Sequence, residues 1–374
     1  MSLSIVTRFI SIIFTSLLVS CSVEQETNKN VTTELHDVTS EIRGEIVPVS
    51  VILPPGFDKN LENLPLLINL HGGGGNRDTL LQQLEVYQEM FNEDIIPPMV
   101  VVSFSGGPIS YYHGTWETFV IDELPKWAAE KYGVSLKPEH TLLTGISMGG
   151  YGSLKIGLKN PERFKAIAPM EPAIMPILDF PTEPHKRNSW WTAPQIYENV
   201  WGKPFDTKDF MKDNPANIAV DNAQRIKDSG LDIYLEVGDE DFIQLHDGAE
   251  FLHRVFWDND IRHEYHLVRW ADHVGLSMYD RTKEAHAFLA ASLAGGKSEP
   301  IDLELTQEEL DFAQSVFGGK EIDTEPTAMM REDPRKAPTI HAELWKPLKV
   351  LAKDDPDMQR AYGILPDTQI EEEK

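Results

Sequence analysis

The sequence predicts an α/β fold in which helices flank a mostly parallel β-sheet. Three observations support this class. Apolar runs of strand length recur along the chain. Segments with helical spacing separate most of these runs, as expected where helices join consecutive parallel strands. The composition, with 41% hydrophobic and 25% charged residues, is typical of a globular protein.

The predicted elements alternate between residues 45 and 294. The predicted strands are Glu45–Leu53, Leu64–Leu70, Pro98–Phe104, Thr141–Thr144, Phe164–Met170, Leu231–Val237 and Glu264–Val268. The predicted helices are Asp78–Phe91, Trp116–Tyr132, Leu154–Asn160, Gly248–Trp257 and Thr282–Ala294. A stretch rich in tryptophan and proline, Pro172–Asn217, interrupts the alternation. It predicts an insertion near the functional site that forms a lid or a wall of the substrate pocket.

The N-terminus has the pattern of a targeting segment, predicted over residues 1–20. Arg8 precedes an apolar run, Phe9–Val19, that is too short to span a membrane. The run ends in Leu-Val-Ser-Cys, which resembles a bacterial lipobox and predicts lipid modification of Cys21, the one cysteine of the chain. An ordinary secretory signal is the alternative. With Ser22 after the cysteine, the pattern predicts a lipid-anchored protein of the cell envelope, at the outer membrane by resemblance to Gram-negative sorting.

The remaining chain divides by composition into a tether, a main domain and an extension. Residues 21–43 are polar and predict a flexible tether, whereas residues 44–294 hold the alternating elements. Residues 295–374 form an acidic extension with one capping box, which predicts a helix from Thr306 to Phe317. The net charge of −26 argues against nucleic acid as a partner and against electrostatic docking on anionic lipid, so the lipid anchor is the only predicted membrane contact.

One motif carries the chemistry. Gly145-Ile-Ser-Met-Gly149 lies between a predicted strand and a predicted helix. A nucleophile elbow requires this context, because the serine must sit on a sharp turn that exposes its hydroxyl above the sheet. Ser147 is therefore the candidate nucleophile.

A nucleophilic serine needs a base and an acid that orients the base. The strand Leu231–Val237 leads into three acidic residues, of which the spacing favours Asp241 as the acid, with Asp239 as the alternative. His273 follows the last predicted strand and is the candidate base. A zinc site of His263, His266 and His273 is not favoured because their spacing fits no common ligand pair. This chemistry needs no cofactor and no metal.

Developing negative charge on the substrate oxygen needs backbone donors. The first is the N–H after the nucleophile, that of Met148. The second is predicted from the loop His71-Gly-Gly-Gly-Gly75, with Gly73 favoured and Gly74 as the alternative. A flexible linker or a phosphate-binding loop is the alternative interpretation of this glycine run, but Asn76-Arg77 does not supply the Lys-Ser or Lys-Thr pair that a phosphate-binding loop uses.

Together these residues resemble the esterase D-like branch of the α/β-hydrolases, which includes S-formylglutathione hydrolases, feruloyl and acetylxylan esterases and mycolyltransferases. The stretches that carry the resemblance are Val51–Gly56, Leu70–Gly73, Glu123–Pro125, Gly145–Gly152, Asn160–Phe164 and Gly238–Asp241. The resemblance implies an α/β-hydrolase fold over residues 44–294 and a triad of Ser147, Asp241 and His273. One departure is Met170-Glu171-Pro172, where many relatives have a Ser-Gly pair.

The resulting prediction is a serine hydrolase that cleaves carboxylic esters, such as acyl or feruloyl esters on carbohydrate, through an acyl-enzyme. Candidate substrate contacts are His71, Gly72, Trp116, Trp190 and Trp191. The first alternative is a serine peptidase of the prolyl oligopeptidase type, although the region before the motif is short for the propeller of that type. The second is a surface binding protein that keeps the fold without catalysis.

Overall fold

The computed structural model describes residues 30–179 and 194–295. The predicted signal segment, Cys21, Trp190, Trp191 and the helix predicted from Thr306 lie outside these residues. Within them, no helix has both the length and the apolar character needed to cross a bilayer.

Eight strands of the described chain form one sheet in the order β1-β2-β4-β3-β5-β6-β7-β8. They are β1 (Thr32–Ser40), β2 (Glu45–Leu53), β3 (Leu66–Leu70), β4 (Val100–Phe104), β5 (Thr141–Ile146), β6 (Ala166–Met170), β7 (Asp232–Gly238) and β8 (Glu264–Val268). Strand β2 runs antiparallel to both of its neighbours, and every other pair is parallel. The predicted α/β fold with a mostly parallel sheet is confirmed.

Helices cover both faces of the sheet. They are α1 (Asp78–Leu81), α2 (Leu84–Asn92), α3 (Thr115–Thr118), α4 (Leu124–Tyr132), α5 (Met148–Lys159), α6 (Pro194–Trp201), α7 (Thr207–Asp213), α8 (Pro215–Asp221), α9 (Ala223–Ser229), α10 (His246–Asp258) and α11 (Ser277–Leu293). The predicted helix Asp78–Phe91 is divided into α1 and α2, and a π-helical turn, Phe119–Glu123, joins α3 to α4. Gly133 ends α4 with a left-handed φ of 74°.

The core has two layers because successive residues of a strand point to opposite faces. Leu67 of β3 belongs to the cluster shared with α2 and α11, whereas the adjacent Ile68 belongs to the cluster shared with α4, α5, α8 and α10. Strands β3 and β4 are buried at every position. Each fully buried aliphatic side chain stabilises the fold by about 1.5–3 kcal/mol, so the central strands contribute strongly to the stability of the sheet that carries the site.

The predicted flexible tether over residues 21–43 is wrong where the structure describes it. Residues 32–40 form strand β1, which pairs with β2 along its whole length. The strand lies at the edge of the sheet and is mostly solvent-facing, with Val38 and Ser40 as its buried positions. An edge strand with one polar face has a composition close to that of a tether, which explains the error.

The insertion between β6 and β7 is a packed helical layer in its described part. Trp201 of α6 is 2% exposed and lies among aromatic rings, including Tyr111 and Phe210 at centroid distances of 5.3 and 5.0 Å. Asp213, at the end of α7, accepts hydrogen bonds from Lys159 Nζ of α5 at 2.5 Å and from His113 at 2.6 Å. These contacts fix the insertion to the helix that follows Ser147.

Candidate active site

Ser147 lies at the sharp turn between β5 and α5. Its backbone is left-handed, with φ of 57° and ψ of −116°. For a residue with a Cβ this geometry costs about 1–3 kcal/mol and needs support from its surroundings. The chain after β6 supplies that support, because Ser147 N–H donates to the Met170 carbonyl at 2.9 Å and the Ser147 carbonyl accepts from Ala173 N–H at 3.1 Å.

The glycine two residues after Ser147 allows α5 to approach the sheet closely. A Cβ placed on Gly149 would lie 2.0 Å from the Leu70 carbonyl oxygen, which no side chain tolerates. The same approach brings Gly72 beside the nucleophile, since a Cβ on Gly72 would lie 3.5 Å from the Ser147 Cβ. The glycine loop after β3 and the elbow after β5 therefore form one continuous surface.

Asp241 and His273 meet at the ends of β7 and β8. His273 Nδ1 lies 3.2 Å from Asp241 Oδ2, and both side chains are buried. The backbone N–H groups of Ile243 and Leu245 also donate to the Asp241 carboxylate, at 2.6 and 3.3 Å. Asp239 accepts instead from Trp270 N–H at 2.6 Å. Of the two carboxylates left open by the sequence, the structure places Asp241 against the imidazole.

In the pair of Asp241 and His273, each side chain favours the charged form of the other. Burial opposes a charged imidazole, but hydrogen bonds and attraction from Asp241 and Glu171 outweigh it and raise the pKa of His273 to about 9. Burial likewise opposes a charged carboxylate, yet His273 and the Ile243 N–H hold the pKa of Asp241 below its ordinary value. The arrangement stabilises an imidazolium, the state that a general base reaches after taking a proton.

The serine and the imidazole are linked through the chain after β6. Met170 accepts the Ser147 N–H, and the next residue, Glu171, places its Oε2 3.8 Å from His273 Nδ1. The Ser147 hydroxyl has no hydrogen-bond partner within the described part of the chain, and such bonds often tighten only when substrate binds. Ser147, Asp241 and His273 follow parallel strands at the same edge of the sheet.

The backbone N–H groups of the glycine loop and of the first turn of α5 are the candidate oxyanion donors. The Gly74 N–H donates to the Pro108 carbonyl at 2.7 Å and is thereby used. The Gly73 N–H has no backbone acceptor among residues 30–179 and 194–295. The Met148 N–H is the first amide of α5, and the first four amides of a helix have no partner within it. This geometry favours Gly73 over Gly74 as the partner of Met148.

The predicted substrate contact by His71 is wrong. Its imidazole is 2% exposed. Nε2 accepts the Gly106 N–H at 3.0 Å, so Nδ1 carries the proton that it donates to the Gly72 carbonyl at 2.8 Å. Burial lowers the pKa of His71, which keeps the ring neutral. His71 thus holds the glycine loop in shape, while Gly72 remains part of the surface beside Ser147.

The predicted substrate contact by Trp116 is also wrong. Its ring is 8% exposed and packs against Phe104 and Phe119, at centroid distances of 5.3 and 5.8 Å. The Arg43 guanidinium covers it at 3.3 Å from the ring centroid. Trp116 of α3 is therefore a core residue, because burial of so large a ring removes much apolar surface from water.

A buried ionic cluster that the sequence did not predict adjoins His273. Arg281 Nε donates to Glu236 at 2.5 Å, its guanidinium also donates to Glu171, and it reaches the Asp272 carbonyl at 2.8 Å. Glu171 and Glu236 are fully buried. The available sequence signals were Glu171 in place of the Ser-Gly pair and a glutamate inside the apolar strand β7.

Glu171, Asp241 and His273 could in geometry hold a metal ion, since their ligand atoms lie within 4.8 Å of one another. The Arg281 guanidinium already bonds Glu171 and opposes a second cation there. The zinc alternative of the sequence is not supported either. His263 contacts His253 at 2.7 Å and His266 stacks on Tyr234 at 4.5 Å, so neither meets His273.

The fold and this site define a serine hydrolase of the α/β-hydrolase class. Residues 40–274 match a family model described as "Putative esterase". The chain belongs to this esterase family and is a carboxylic ester hydrolase, and the peptidase alternative is not favoured.

Known proteins resemble this chain to different extents. It is 28% identical over 193 residues to an acetyl esterase of Caldicellulosiruptor saccharolyticus, covering 50% of this chain and 69% of that protein. It is 29% identical over 122 residues to the esterase Rv1288 of Mycobacterium tuberculosis, covering 30% of this chain but 26% of that protein. A solved ferulic acid esterase is 18% identical, with a TM-score of 0.59, over 71% of this chain and 99% of its own, and shows the shared fold.

Proposed function

We propose that Ser147, His273 and Asp241 hydrolyse carboxylic esters through an acyl-enzyme. Ser147 Oγ attacks the ester carbonyl while His273 Nε2 takes the hydroxyl proton and then gives it to the leaving alcohol. The N–H groups of Gly73 and Met148 bind the oxyanion. A water, activated by the same imidazole, releases the acid and frees Ser147. The supporting observation is the buried Asp241–His273 pair at the sheet edge that also carries the strained Ser147.

The decisive test is removal of the nucleophile. Ser147→Ala should lower kcat for p-nitrophenyl acetate by about 10⁴-fold or more, because the remaining site offers only binding and oxyanion stabilisation. A fluorophosphonate probe should label the wild-type protein and not this variant. The matched control is Ser153→Ala on the same helix, whose hydroxyl bonds the Gly149 carbonyl at 2.9 Å. Full activity in Ser147→Ala would contradict the mechanism.

We propose acyl or feruloyl groups esterified to carbohydrate as the substrate class. The proposal is supported by relatives named acetyl esterase and ferulic acid esterase. The test compares kcat/KM for acetyl, feruloyl and long-chain acyl esters, each on p-nitrophenol and on a xylo-oligosaccharide. Acetyl or feruloyl esters should be preferred, and the carbohydrate-linked forms should gain further. A preference for long-chain esters with no gain from carbohydrate would contradict the proposal.

Ester and amide substrates separate the esterase from a peptidase. A matched pair, one peptide p-nitrophenyl ester and the same peptide as its p-nitroanilide, should be cleaved with kcat/KM higher for the ester. Faster turnover of the amide would instead support the prolyl oligopeptidase type.

We further propose that Cys21 is lipidated and anchors the chain to the bacterial cell envelope, at the outer membrane. The lipobox-like residues Leu18–Cys21 and the apolar run before them support this placement. Expression in a Gram-negative host with a labelled fatty acid should label the wild-type protein in the outer-membrane fraction. Cys21→Ala should lose the label. Equal labelling of both proteins would contradict the proposal.

A further inference from the structure

Two carboxyl groups face the same nitrogen of His273. Asp241 Oδ2 lies 3.2 Å from Nδ1 and Glu171 Oε2 lies 3.8 Å from it. Glu171 is fully buried, and its Oε2 has no hydrogen-bond partner among the described residues. A buried carboxylate oxygen without a donor is costly unless a positive charge lies nearby. The neighbouring group that becomes positive is the His273 imidazole.

Glu171 is fixed in this position from several sides. Its backbone is left-handed, with φ of 44°, and its N–H donates to the Glu236 carbonyl at 2.9 Å. The Oε1 atom accepts from Gly238 N–H at 2.8 Å and from the Arg281 guanidinium. One carboxylate oxygen is thus anchored, and the other is directed at His273. A residue that only paired with Arg281 would not need its second carboxyl oxygen directed at His273.

Buried carboxyl groups and one guanidinium surround His273. Burial raises the pKa of Glu236 to about 8, so this carboxyl is neutral near pH 7. Burial also raises the pKa of Glu171, while hydrogen bonds and attraction from His273 and Arg281 act against that rise. The Arg281 guanidinium contacts the carboxyl group of Glu171, and the imidazole contacts the carboxylate of Asp241.

Other charged groups reach the cluster less directly. The Asp272 side chain accepts the backbone N–H groups of His273 and Phe242, at 2.6 and 3.1 Å. Glu284 of α11 acts on Glu236 through its charge. Neither is within ion-pair distance of the His273 ring in the described structure, so Glu171 is the group that shares the imidazole with Asp241.

We propose that Glu171 is a second acid for His273: a positioning residue that, with Asp241, orients the imidazole and stabilises its charged form during acyl transfer. This inference rests on the proposed function. When Nε2 takes the Ser147 proton, the positive ring faces the carboxyl groups of Asp241 and Glu171 through its Nδ1–H, which remains with the ring. When Asp241 is removed, Glu171 still provides an acceptor on the same side of the ring.

The test is the pH profile of kcat/KM for p-nitrophenyl acetate in Glu171→Gln, Asp241→Asn and the double variant. Glutamine keeps the size of the side chain and its bonds to Gly238 and Arg281 but removes the charge. Glu171→Gln should therefore move the acid limb to lower pH by about one unit, the shift expected from losing one nearby opposite charge. The double variant should lose at least about tenfold more activity than the product of the two single losses. An unmoved limb, or a double variant no worse than Asp241→Asn, would overturn the proposal.

The matched control is Glu236→Gln. Glu236 is equally buried and bonds the same guanidinium, yet it lies outside ion-pair distance of His273. Its loss should leave the acid limb in place, and an equal shift would overturn the proposal by assigning the effect to Arg281. If either glutamine variant fails to fold, Glu171→Asp is compared with Glu236→Asp. The first should shift the limb, because the shortened carboxylate withdraws from the ring, and equal limbs in both would count against the proposal.

Two further experiments distinguish the role of Glu171 from a metal site and from failure of the proposed function. EDTA should not change the activity of the wild-type protein, and loss of activity restored by a divalent cation would show a metal in place of the proposed carboxylate pair. The Ser147→Ala change is repeated in the Glu171→Gln background. Wild-type turnover that does not depend on Ser147 would refute the proposed function itself. Ser147-dependent turnover with an unmoved limb in Glu171→Gln would refute only the role of Glu171.

Discussion

At the scale of single residues, the protonation state of His273 sets the pH range in which the site is active. A general base must be unprotonated to accept the serine proton. The surrounding carboxyl groups stabilise the imidazolium that forms during the reaction. They also raise the pH that is needed to deprotonate His273 before the reaction can begin. The pH at which activity falls on the acid side of the kcat/KM profile, the acid limb, measures the pKa of His273 directly.

The first prediction concerns that limb. With the pKa of His273 raised to about 9, the ring is mostly protonated at pH 7 and loses its proton as the pH rises. The kcat/KM for p-nitrophenyl acetate should therefore increase with pH through the ordinary histidine range and level off only on the alkaline side. The control follows product at a wavelength insensitive to nitrophenol ionisation. A plateau reached by pH 7 would contradict the raised pKa.

His71 gives the second prediction, because it shapes the oxyanion loop without facing the solvent. His71→Ala should lower kcat by roughly 10- to 10³-fold, since a displaced Gly73 donor removes oxyanion stabilisation. His286→Ala is the control: this ring is equally buried but bonds Tyr87 on the other side of the sheet. It should lower the unfolding temperature while largely keeping kcat. Equal kcat losses in both variants would show that His71 acts only through stability.

At the scale of elements, the nucleophile helix packs on the sheet through glycine. Gly149→Ala is expected to destabilise the fold by about 2 kcal/mol or more and to abolish activity, because its Cβ would lie 2.0 Å from the Leu70 carbonyl. Gly157→Ala on the same helix should cost less, since its Cβ would meet only the movable Ile167 side chain at 2.8 Å. Denaturant unfolding checks both. A smaller loss in Gly149→Ala would refute this account of the packing.

The edge strand β1 gives the fourth prediction. Val38→Asp should destabilise the protein by about 2 kcal/mol or more, because it places a charge in the core between β1 and α4. Leu35→Asp carries the same charge on the same strand but replaces a side chain that is 53% exposed. It should change the free energy of unfolding by about 0.5 kcal/mol or less. Equal losses would mean that β1 does not pack as described.

At the scale of the whole molecule, parallel strands gather distant residues at one edge. The glycine loop, Ser147, Asp241 and His273 follow β3, β5, β7 and β8, and the carboxyl ends of parallel strands meet at the same edge. The insertion is fixed to α5 through Asp213, whose pKa His113, Lys155 and Lys159 hold well below its ordinary range although burial opposes this. The site residues therefore follow strands of one sheet, and the helical layer of the insertion is anchored to the helix that begins after Ser147.

How much of this architecture the sequence predicts depends on the range of the contacts involved. Buried strands and the elbow have local signals, apolar runs and glycine spacing, and β2 and β8 have the predicted bounds. The pairing of Glu171 with Arg281 joins residues 110 positions apart and leaves no local pattern. The edge strand β1 has few apolar residues, and whether Trp116 faces substrate or core depends on the position of Arg43, which is distant in sequence.

The most direct measurement is a crystal structure of the protein inactivated with diethyl p-nitrophenyl phosphate. We expect a phosphoryl group on Ser147 Oγ, with one oxygen within hydrogen-bond distance of the Gly73 and Met148 N–H groups and His273 Nε2 directed at the Ser147 oxygen. An adduct on another residue, or a phosphoryl oxygen that contacts neither amide, would contradict it.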